Sequence, residues 1–253
     1  MIQDIVLLLV GFIVGAMNAI AGGGMIIGFP VLLALGIPPL FANATANIVS
    51  LPGQLASAIG YRKYIRRVPA RYLLLLIPVV AGSAVGALTL RHTSATDFAN
   101  IVPILLLFGI GLFTFQPLLH FHLHAHVKGV RRTWLPMVLL GIAVAPLSFY
   151  GGYFGAGYGF MMLAFLGFTN MTDTHMMNGM KNIAATFVAG TSIICLYSSG
   201  LIHWRIGIIM AVGSAIGGYS GACGAQKLSS HWLRIIVIVL GMSAVVYLGL
   251  RQY

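Results

Sequence analysis

The stretch Ile20-Ala21-Gly22-Gly23-Gly24-Met25 interrupts an apolar run near the start of the chain, and Phe154-Gly155-Ala156-Gly157-Tyr158-Gly159 does the same past its middle. A shift of 135 positions places Gly22 on Gly157 and brings the two stretches together. Glycine permits positive φ and close approach of backbones. Irregular backbone at membrane depth survives only inside protein or beside a water-filled cavity. The two stretches therefore predict one broken helix in each half of a duplicated membrane protein.

The same shift matches further residues of the types from which transport sites are built. The matched pairs are Gly24 with Gly159, Asn43 with Asn178, Asn47 with Asn182, Ser57 with Ser192, Gly82 with Gly217, and Gly86 with Gly221. Paired broken segments at corresponding positions are the best sequence indication of a transporter's binding site. We therefore expect a first transmembrane repeat at 1–120, a cytoplasmic linker at 121–133 and a second repeat at 134–253.

The composition indicates a membrane protein. The chain is 59% hydrophobic and only 7% charged, whereas soluble domains carry about 25% charged residues. Its 14 Lys and Arg against 3 Asp and Glu lie mostly in short loops, which favours positive-inside topology over nucleic-acid binding. We expect a multi-pass protein of the plasma or inner membrane, embedded in the lipid bilayer, whose positive field attracts anions.

Apolar segments of spanning length recur four times in each half. A spanning helix needs about 20 apolar residues, and such stretches start near Ile2, Ala42, Arg71, Phe98, Trp134, Thr174, Trp204 and Leu233. Each half also holds one short apolar piece after its glycine stretch, at 25–35 and 160–168. The predicted fold is an all-α polytopic membrane protein with two inverted repeats of about four to five helices, each holding a broken or re-entrant glycine-rich segment.

Loop charge predicts the orientation of the repeats. The loop at 61–71 carries five basic residues and should be cytoplasmic, and the following loop holds only Arg91 with Asp97. The linker at 121–133 is basic again. In the second half the bias reverses, because the position equivalent to the first basic loop holds only Arg205. This reversal predicts an odd number of crossings in each half, hence inverted repeats; if each short segment counts as a crossing, both termini lie outside.

The glycines allow two interpretations. Exposed amides at the start of a half-helix attract anions, so we expect Gly22, Gly23, Gly24, Gly157 and Gly159 to bind substrate. The alternative is that these glycines only permit close helix packing. That second interpretation is the one we favour for the small-xxx-small pairs Gly82 with Gly86, Gly213 with Gly217, and Gly217 with Gly221.

Two asparagine pairs are the strongest polar signal. Asn43 and Asn47, like Asn178 and Asn182, lie four residues apart and so share one helix face. Their amides offer both donors and acceptors, and we expect the four to meet at the repeat interface and bind an oxyanion. The alternative is hydrogen bonding between helices. The polar side chains of Thr45, Ser50 and Gln54 continue this face, and Pro52 can kink the helix.

Lys181 is the most informative single residue. An ionisable side chain within a transmembrane segment is costly and is a functional candidate by default. Lys181 lies between Asn178 and Asn182, and its repeat counterpart is Ala46. The site would then contain one cation, which suits a small anion. The alternative is that Lys181 lies near the helix start and extends to the membrane surface.

Other polar residues support weaker interpretations. Asp173 and His175 could relay a proton, but we favour a helix cap at Asp173 or Thr174. Cys195 and Cys223 are interpreted as small buried residues. His120, His122, His124 and His126 alternate in one loop, where they could bind metal or simply be solvated. The chain shows no nucleotide loop, Ser-His-Asp arrangement or carboxylate pair, so we expect neither an enzyme nor a bound cofactor.

The paired motifs resemble those of the sulfite exporter TauE/SafE family. In the first half they are residues 21–30, the turn Gly36-Ile37-Pro38 and residues 43–47, and in the second half residues 155–162 and 178–182. The resemblance covers nearly the whole chain and implies a secondary transporter, an exporter, of sulfite, organosulfonates or other organic acids. Tyr158 within the second glycine stretch and Lys181 depart from the usual pattern.

Two alternatives to anion transport stay open at this point. One is a divalent-metal transporter that uses the histidine tract at 120–126, although the scarcity of carboxylates weighs against a path for hard cations. The other is a membrane subunit that transports nothing and binds a partner. For the favoured interpretation the expected partners are a small anionic substrate and a coupling proton or ion, and a homodimer is compatible with the sequence.

Overall fold

The computed structural model describes residues 2–108, 111, 137–167, 169, 171 and 173–224. Within these residues the chain is helical and contains no strand, as the all-α fold class predicts. The helices are α1 (Ile2–Ile20), α2 (Met25–Ala34), α3 (Pro39–Gly60), α4 (Arg62–Ile65), α5 (Leu76–His92), α6 (Ala95–Phe108), α7 (Met137–Tyr153), α8 (Tyr158–Gly167), α9 (Thr174–Leu196) and α10 (Trp204–Gly224), with 3₁₀ turns at Ala70–Leu75 and Tyr197–Ser199. The linker at 121–133 and the segment predicted to start near Leu233 lie outside the described residues.

Within the described residues, four helical stretches are long and apolar enough to cross a membrane, so the chain is a multi-pass membrane protein. They are Ile2–Ile20, Ala70–His92, Thr174–Ser199 and Trp204–Gly224. The two helices that follow the glycine stretches, α2 and α8, have 10 residues each. Such a helix is about 15 Å long, half of a hydrocarbon core of about 30 Å. The predicted short segments are therefore confirmed.

Local sequence explains where the helices begin. Helices α9 and α10 begin at Thr174 and Trp204, as predicted. Helix α3 begins at Pro39, three residues before the predicted start, because proline fits the first helical position. The helix continues through Pro52. The prediction that both cysteines are buried is wrong, because Cys223 is exposed near the end of α10 and Cys195 is only partly covered.

The helix contacts repeat when the two halves are exchanged. The shift of 135 residues places α1 on α7, α3 on α9 and α5 on α10. Helix α1 packs along α10 while α7 packs along α5, and α3 packs on α10 while α9 packs on α5. Helices α3 and α9 pack on each other at the centre. Each of these contacts therefore has a counterpart in the other half.

Helices α1 and α7 end near opposite ends of α3. Ala19, at the end of α1, packs with Tyr61, which directly follows α3. Tyr153, the last residue of α7, instead contacts Asn43 in the first turns of α3. The inverted relation of the two repeats stays a prediction, with which this arrangement is compatible. The placement of each repeat in the bilayer stays a prediction.

Close helix packing explains the small-xxx-small glycines. Gly213 and Gly217 of α10 lie directly against the backbone of α1 at Leu8 and Phe12, where an added Cβ would meet carbonyl oxygens. In the other half Gly86 meets the backbone of α7 in the same way. Gly82 lies against Ala145 and Gly221 against Ala16. The packing interpretation of these glycines is therefore confirmed.

We expect Gly217→Ala to lower the stability of the protein by about 1–3 kcal/mol, because a methyl group must enter a seam that is already close-packed. The matched control is Gly190→Ala on α9, where an added Cβ would meet only one side-chain carbon at 3.8 Å. That control should be neutral or stabilising, because alanine favours helices over glycine. Thermal unfolding in detergent checks both, and equal melting temperatures would contradict the prediction.

Candidate functional site

The two glycine stretches touch each other where the halves meet. Gly22 has φ +93° and its counterpart Gly157 has φ +85°, backbone angles that favour glycine. A Cβ added to Gly22 would lie 2.6 Å from the Cα of Gly159, and one added to Gly159 would meet the backbone of Gly22. A Cβ on Gly23 would meet the ring of Phe160. The two breaks are therefore in direct backbone contact.

Part of the predicted anion-binding backbone is used within the protein in this conformation. The Gly24 amide donates to Asn18 Oδ1 at 2.8 Å, and the Gly22 amide donates to the Met17 carbonyl at 3.1 Å. These bonds fix the chain between α1 and α2. An anion could reach the two amides only after the bonds open.

Asn43 caps the end of α7 from the opposite half. The last carbonyls of a helix have no partner within it and carry partial negative charge. The Asn43 amide donates to the Tyr153 carbonyl at 2.8 Å. Asn43 therefore holds the first repeat to the broken point of the second.

Lys181 caps the end of α1 in the equivalent way. Its Nζ donates to the carbonyls of Asn18 at 2.8 Å and Ala19 at 3.4 Å, and to Asn178 Oδ1 at 3.1 Å. Asn18 in α1 is the repeat counterpart of Tyr153 in α7. The Asn18 carbonyl accepts from an ammonium, whereas the Tyr153 carbonyl accepts from an amide. The Lys181 side chain is 1% exposed. The alternative in which Lys181 extends to the membrane surface is therefore wrong.

The charge on Lys181 has no carboxylate partner among the described residues. Its three acceptors are all neutral oxygens. The three aspartates of the chain are engaged elsewhere, Asp4 near Arg205, Asp97 with Ser94, and Asp173 at the start of α9. Burying a charge costs several kcal/mol even after relaxation. Such a cost is typical of residues retained for function in membranes.

The four asparagines do not converge on one point. Asn43 lies at the end of α7 and Asn178 at the end of α1, as described above. Asn47 donates back to the Asn43 carbonyl at 3.3 Å. Asn182 is 0% exposed, and neither its Nδ2 nor its Oδ1 has a partner. An unpaired buried polar group costs about 1–3 kcal/mol, so Asn182 is an energetically costly residue in this conformation.

Thr45 is bound within the fold and serves to position α10. Its hydroxyl donates to the Phe41 carbonyl at 2.7 Å and accepts the His203 amide at 3.0 Å. His203 directly precedes α10. Thr45 therefore connects α3 to the start of α10, and its hydroxyl is occupied in this conformation.

A cavity lies between the halves, with one polar and one apolar wall. Helix α3 supplies the polar wall with Asn47, Ser50 and Gln54, and α9 supplies the apolar wall. The cavity encloses about 320 Å³, its open mouth included. The other lining residues are Met25, Ala46, Gly151, Phe154, Gly155, Tyr158, Ala185, Val188 and Ala189. Of the predicted site residues, only Asn47 lies here, together with Ser50 and Gln54 from the polar face of α3.

Four residues that line the cavity form two pairs of repeat counterparts. Ser50 and its counterpart Ala185 both line it, as do Gln54 and its counterpart Ala189. Gln54 Oε1 is buried and has no hydrogen-bond partner. The sequence indicated the polar face of α3, but the contribution of the end of α7 could not be predicted without the contact between the halves.

Asp173 caps α9 as predicted. Its Oδ1 accepts the amides of His175 at 2.8 Å and Met176 at 3.4 Å. The His175 ring packs against Tyr64, with 4.7 Å between ring centroids, and stacks on Tyr61 at 6.2 Å. His175 thus belongs to an aromatic cluster next to the basic loop.

Metal ligands do not gather in the part of the chain that the structure describes. No group of three or more His, Cys, Asp or Glu side chains comes together there. The tract at 120–126, on which the metal-transport alternative depends, lies outside the described residues.

Comparison with known proteins places this fold and its paired motifs in one family. The family model described as "Sulfite exporter TauE/SafE" matches residues 7–248. A Haemophilus influenzae protein named "Probable membrane transporter protein" is 32% identical, over 93% of this chain and 90% of its own length. The Escherichia coli K12 protein named "Probable membrane transporter protein YfcA" is 28% identical over 93% and 85% of the two chains. No solved structure matches the chain. The chain belongs to the sulfite exporter TauE/SafE family of membrane proteins.

Proposed function

We propose that this protein is a secondary transporter, working as an exporter, of a small sulfur-containing anion such as sulfite or an organosulfonate. The observation that carries the proposal is the cavity lined by both halves, with the unpartnered Oε1 of Gln54 in its wall. A binding site at the interface of two repeats lets one half move against the other around a bound substrate. The family and the names of the relatives support membrane transport.

The chemistry of the cavity suits a small anion with a polar head. Asn47 and Gln54 can turn amide donors toward an oxyanion, since the two ends of an amide are nearly interchangeable in geometry, and Ser50 adds a hydroxyl donor. The apolar wall of α9, at Ala185 and Val188, suits a short carbon chain behind the head. The net charge of +11 gives the protein a positive field, which attracts anions and repels cations.

We expect Gln54→Ala to lower the flux of sulfite or sulfoacetate about tenfold or more, because a hydrogen bond to a charged group contributes about 1.5–3 kcal/mol. The measurement is uptake and release of ³⁵S-labelled sulfite and sulfoacetate by proteoliposomes under an imposed gradient of anion, proton or sodium ion. Equal flux in wild type and Gln54→Ala would contradict the role of this residue.

The matched control is Ser220→Ala, which also removes one polar group from a helix. Ser220 lies on the exposed face of α10 and donates to the Ile216 carbonyl within its own helix, so its flux should equal that of wild type. Absence of flux for either sulfur anion, together with transport of Ni²⁺ or Zn²⁺, would replace the proposal with the metal-transport alternative.

A further inference from the structure

A second half-site lies closed behind the cavity. The exchange of the two halves maps the lining residues Met25, Ala46 and Asn47 onto Phe160, Lys181 and Asn182. It leaves Ser50, Gln54, Ala185 and Ala189 in place, because these four are one another's counterparts. We call the set formed by Lys181, Asn182 and Phe160 the second half-site. On α9, Asn182 lies one helical turn before Ala185, which lines the cavity.

This second half-site is sealed from solvent. Phe160 is 2% exposed and Asn182 is 0% exposed, and the ring of Phe160 occupies the space that glycine leaves open at Gly23. Lys181 is tied to the end of α1. In contrast, the counterparts Met25 and Asn47 line the open cavity. The halves therefore differ in state although their contacts correspond.

The buried polar groups of the second half-site point to a ligand. Asn182 has two unpaired amide atoms, and Lys181 has no carboxylate partner in the described part of the chain. Groups of this kind are costly when they stay buried. The cost is recovered if the half-site opens and takes up an anion.

We propose that the second half-site opens in the opposite state of the transport cycle, with Lys181 and Asn182 in the places that Ala46 and Asn47 hold in the present cavity. The inference rests on the proposed transport function and adds to it an asymmetry. The mouth of the present cavity, at Ala46 and Asn47, is neutral. The mouth that opens at Lys181 and Asn182 is cationic. An anion therefore binds the cationic mouth more tightly, which biases its entry to that side.

The fold also indicates on which side of the membrane the cationic mouth lies. The end of α1, which Lys181 caps, packs near Tyr61, immediately before the basic loop that starts at Arg62. The open cavity instead borders the end of α7, which Asn43 holds near the start of α3. Basic loops face the cytoplasm. The cationic mouth therefore faces the cytoplasm, where an exporter collects its substrate.

Labelling of single cysteines tests the proposal. In a chain with Cys195→Ser and Cys223→Ser, the variants Asn47→Cys and Asn182→Cys are treated with the membrane-impermeant thiol reagents MTSES, an anion, and MTSET, a cation. Right-side-out and inside-out vesicles present the two faces, and Lys63→Cys in the exposed basic loop marks the loop side. Gel filtration of each purified variant checks its folding.

We expect Asn182→Cys to react from the same side as Lys63→Cys and Asn47→Cys from the other side. The ratio of MTSES to MTSET rates should be several-fold higher at Asn182→Cys than at Asn47→Cys and should fall when Lys181→Met is added. The proposal is overturned if either cysteine reacts from the other side of the membrane, or if Asn182→Cys does not react. Equal MTSES-to-MTSET rate ratios at the two positions would overturn the cationic mouth. Labelling reports whether the half-site opens, whereas the liposome assay reports transport. Failure of one proposal can therefore be distinguished from failure of the other.

Discussion

Gly22→Ala should destabilise the protein by about 2–5 kcal/mol, because two separate costs fall on one residue. An alanine at φ +93° costs about 1–2 kcal/mol from the clash of its Cβ with the backbone. The same Cβ would lie 2.6 Å from the Cα of Gly159, and overpacking of this kind costs about 1–3 kcal/mol. Backbone atoms cannot turn away as a flexible side chain would, so the two helix breaks must separate.

Two further glycines divide this effect into its parts. Gly36 has φ +81° but open space around it, so Gly36→Ala carries only the backbone cost. Gly159 meets the backbone of Gly22 without a positive φ, so Gly159→Ala carries only the contact cost. Thermal unfolding in detergent should rank Gly22→Ala as the least stable of the three. If the melting temperature of Gly22→Ala equalled or exceeded that of Gly36→Ala, the glycine stretches would not be in contact.

Local sequence predicts the helices and their breaks, because these depend on short-range properties. Runs of apolar residues set the spans, and the glycine stretch at Gly22 and the proline at Pro39 set a break and a start. The 10-residue length of α2 follows from the glycines before it and the turn at Gly36 after it. These features need no knowledge of what lies across the fold.

The hydrogen-bond partners of the buried polar side chains could not be predicted in the same way. The Asn43 amide bonds a carbonyl 110 residues away in sequence, and the Lys181 ammonium bonds one 163 residues away. The sequence indicates that both residues are costly in a membrane. It does not indicate whether each faces a helix end or a ligand, because that depends on how the two halves dock. The four asparagines consequently lie apart: Asn43 caps α7, Asn178 accepts from Lys181, Asn47 lines the cavity and Asn182 is buried without a partner.

Lys181→Met should abolish sulfite or sulfoacetate flux, with a loss of about 100-fold or more, while the protein still folds. Removal of the ammonium takes away three hydrogen bonds and leaves carbonyls at the end of α1 unpaired, at about 1–3 kcal/mol for a buried group. It also removes a buried charge, whose desolvation costs several kcal/mol. Methionine fills a similar volume, so the two changes in stability oppose each other and the melting temperature should stay level or rise.

Flux and stability therefore change in different directions if the charge of Lys181 serves transport. A residue that only clamps α1 to α9 would lose flux in proportion to its fall in melting temperature, and that parallel loss would sink the assignment of Lys181 to the substrate path. Lys63→Met is the matched control, because it removes the same charge from an exposed position in the basic loop; its flux should stay near wild type. Proteoliposome flux and detergent melting on the same three preparations decide between the two roles, since a lysine that binds the anion would be needed for turnover and not for the fold.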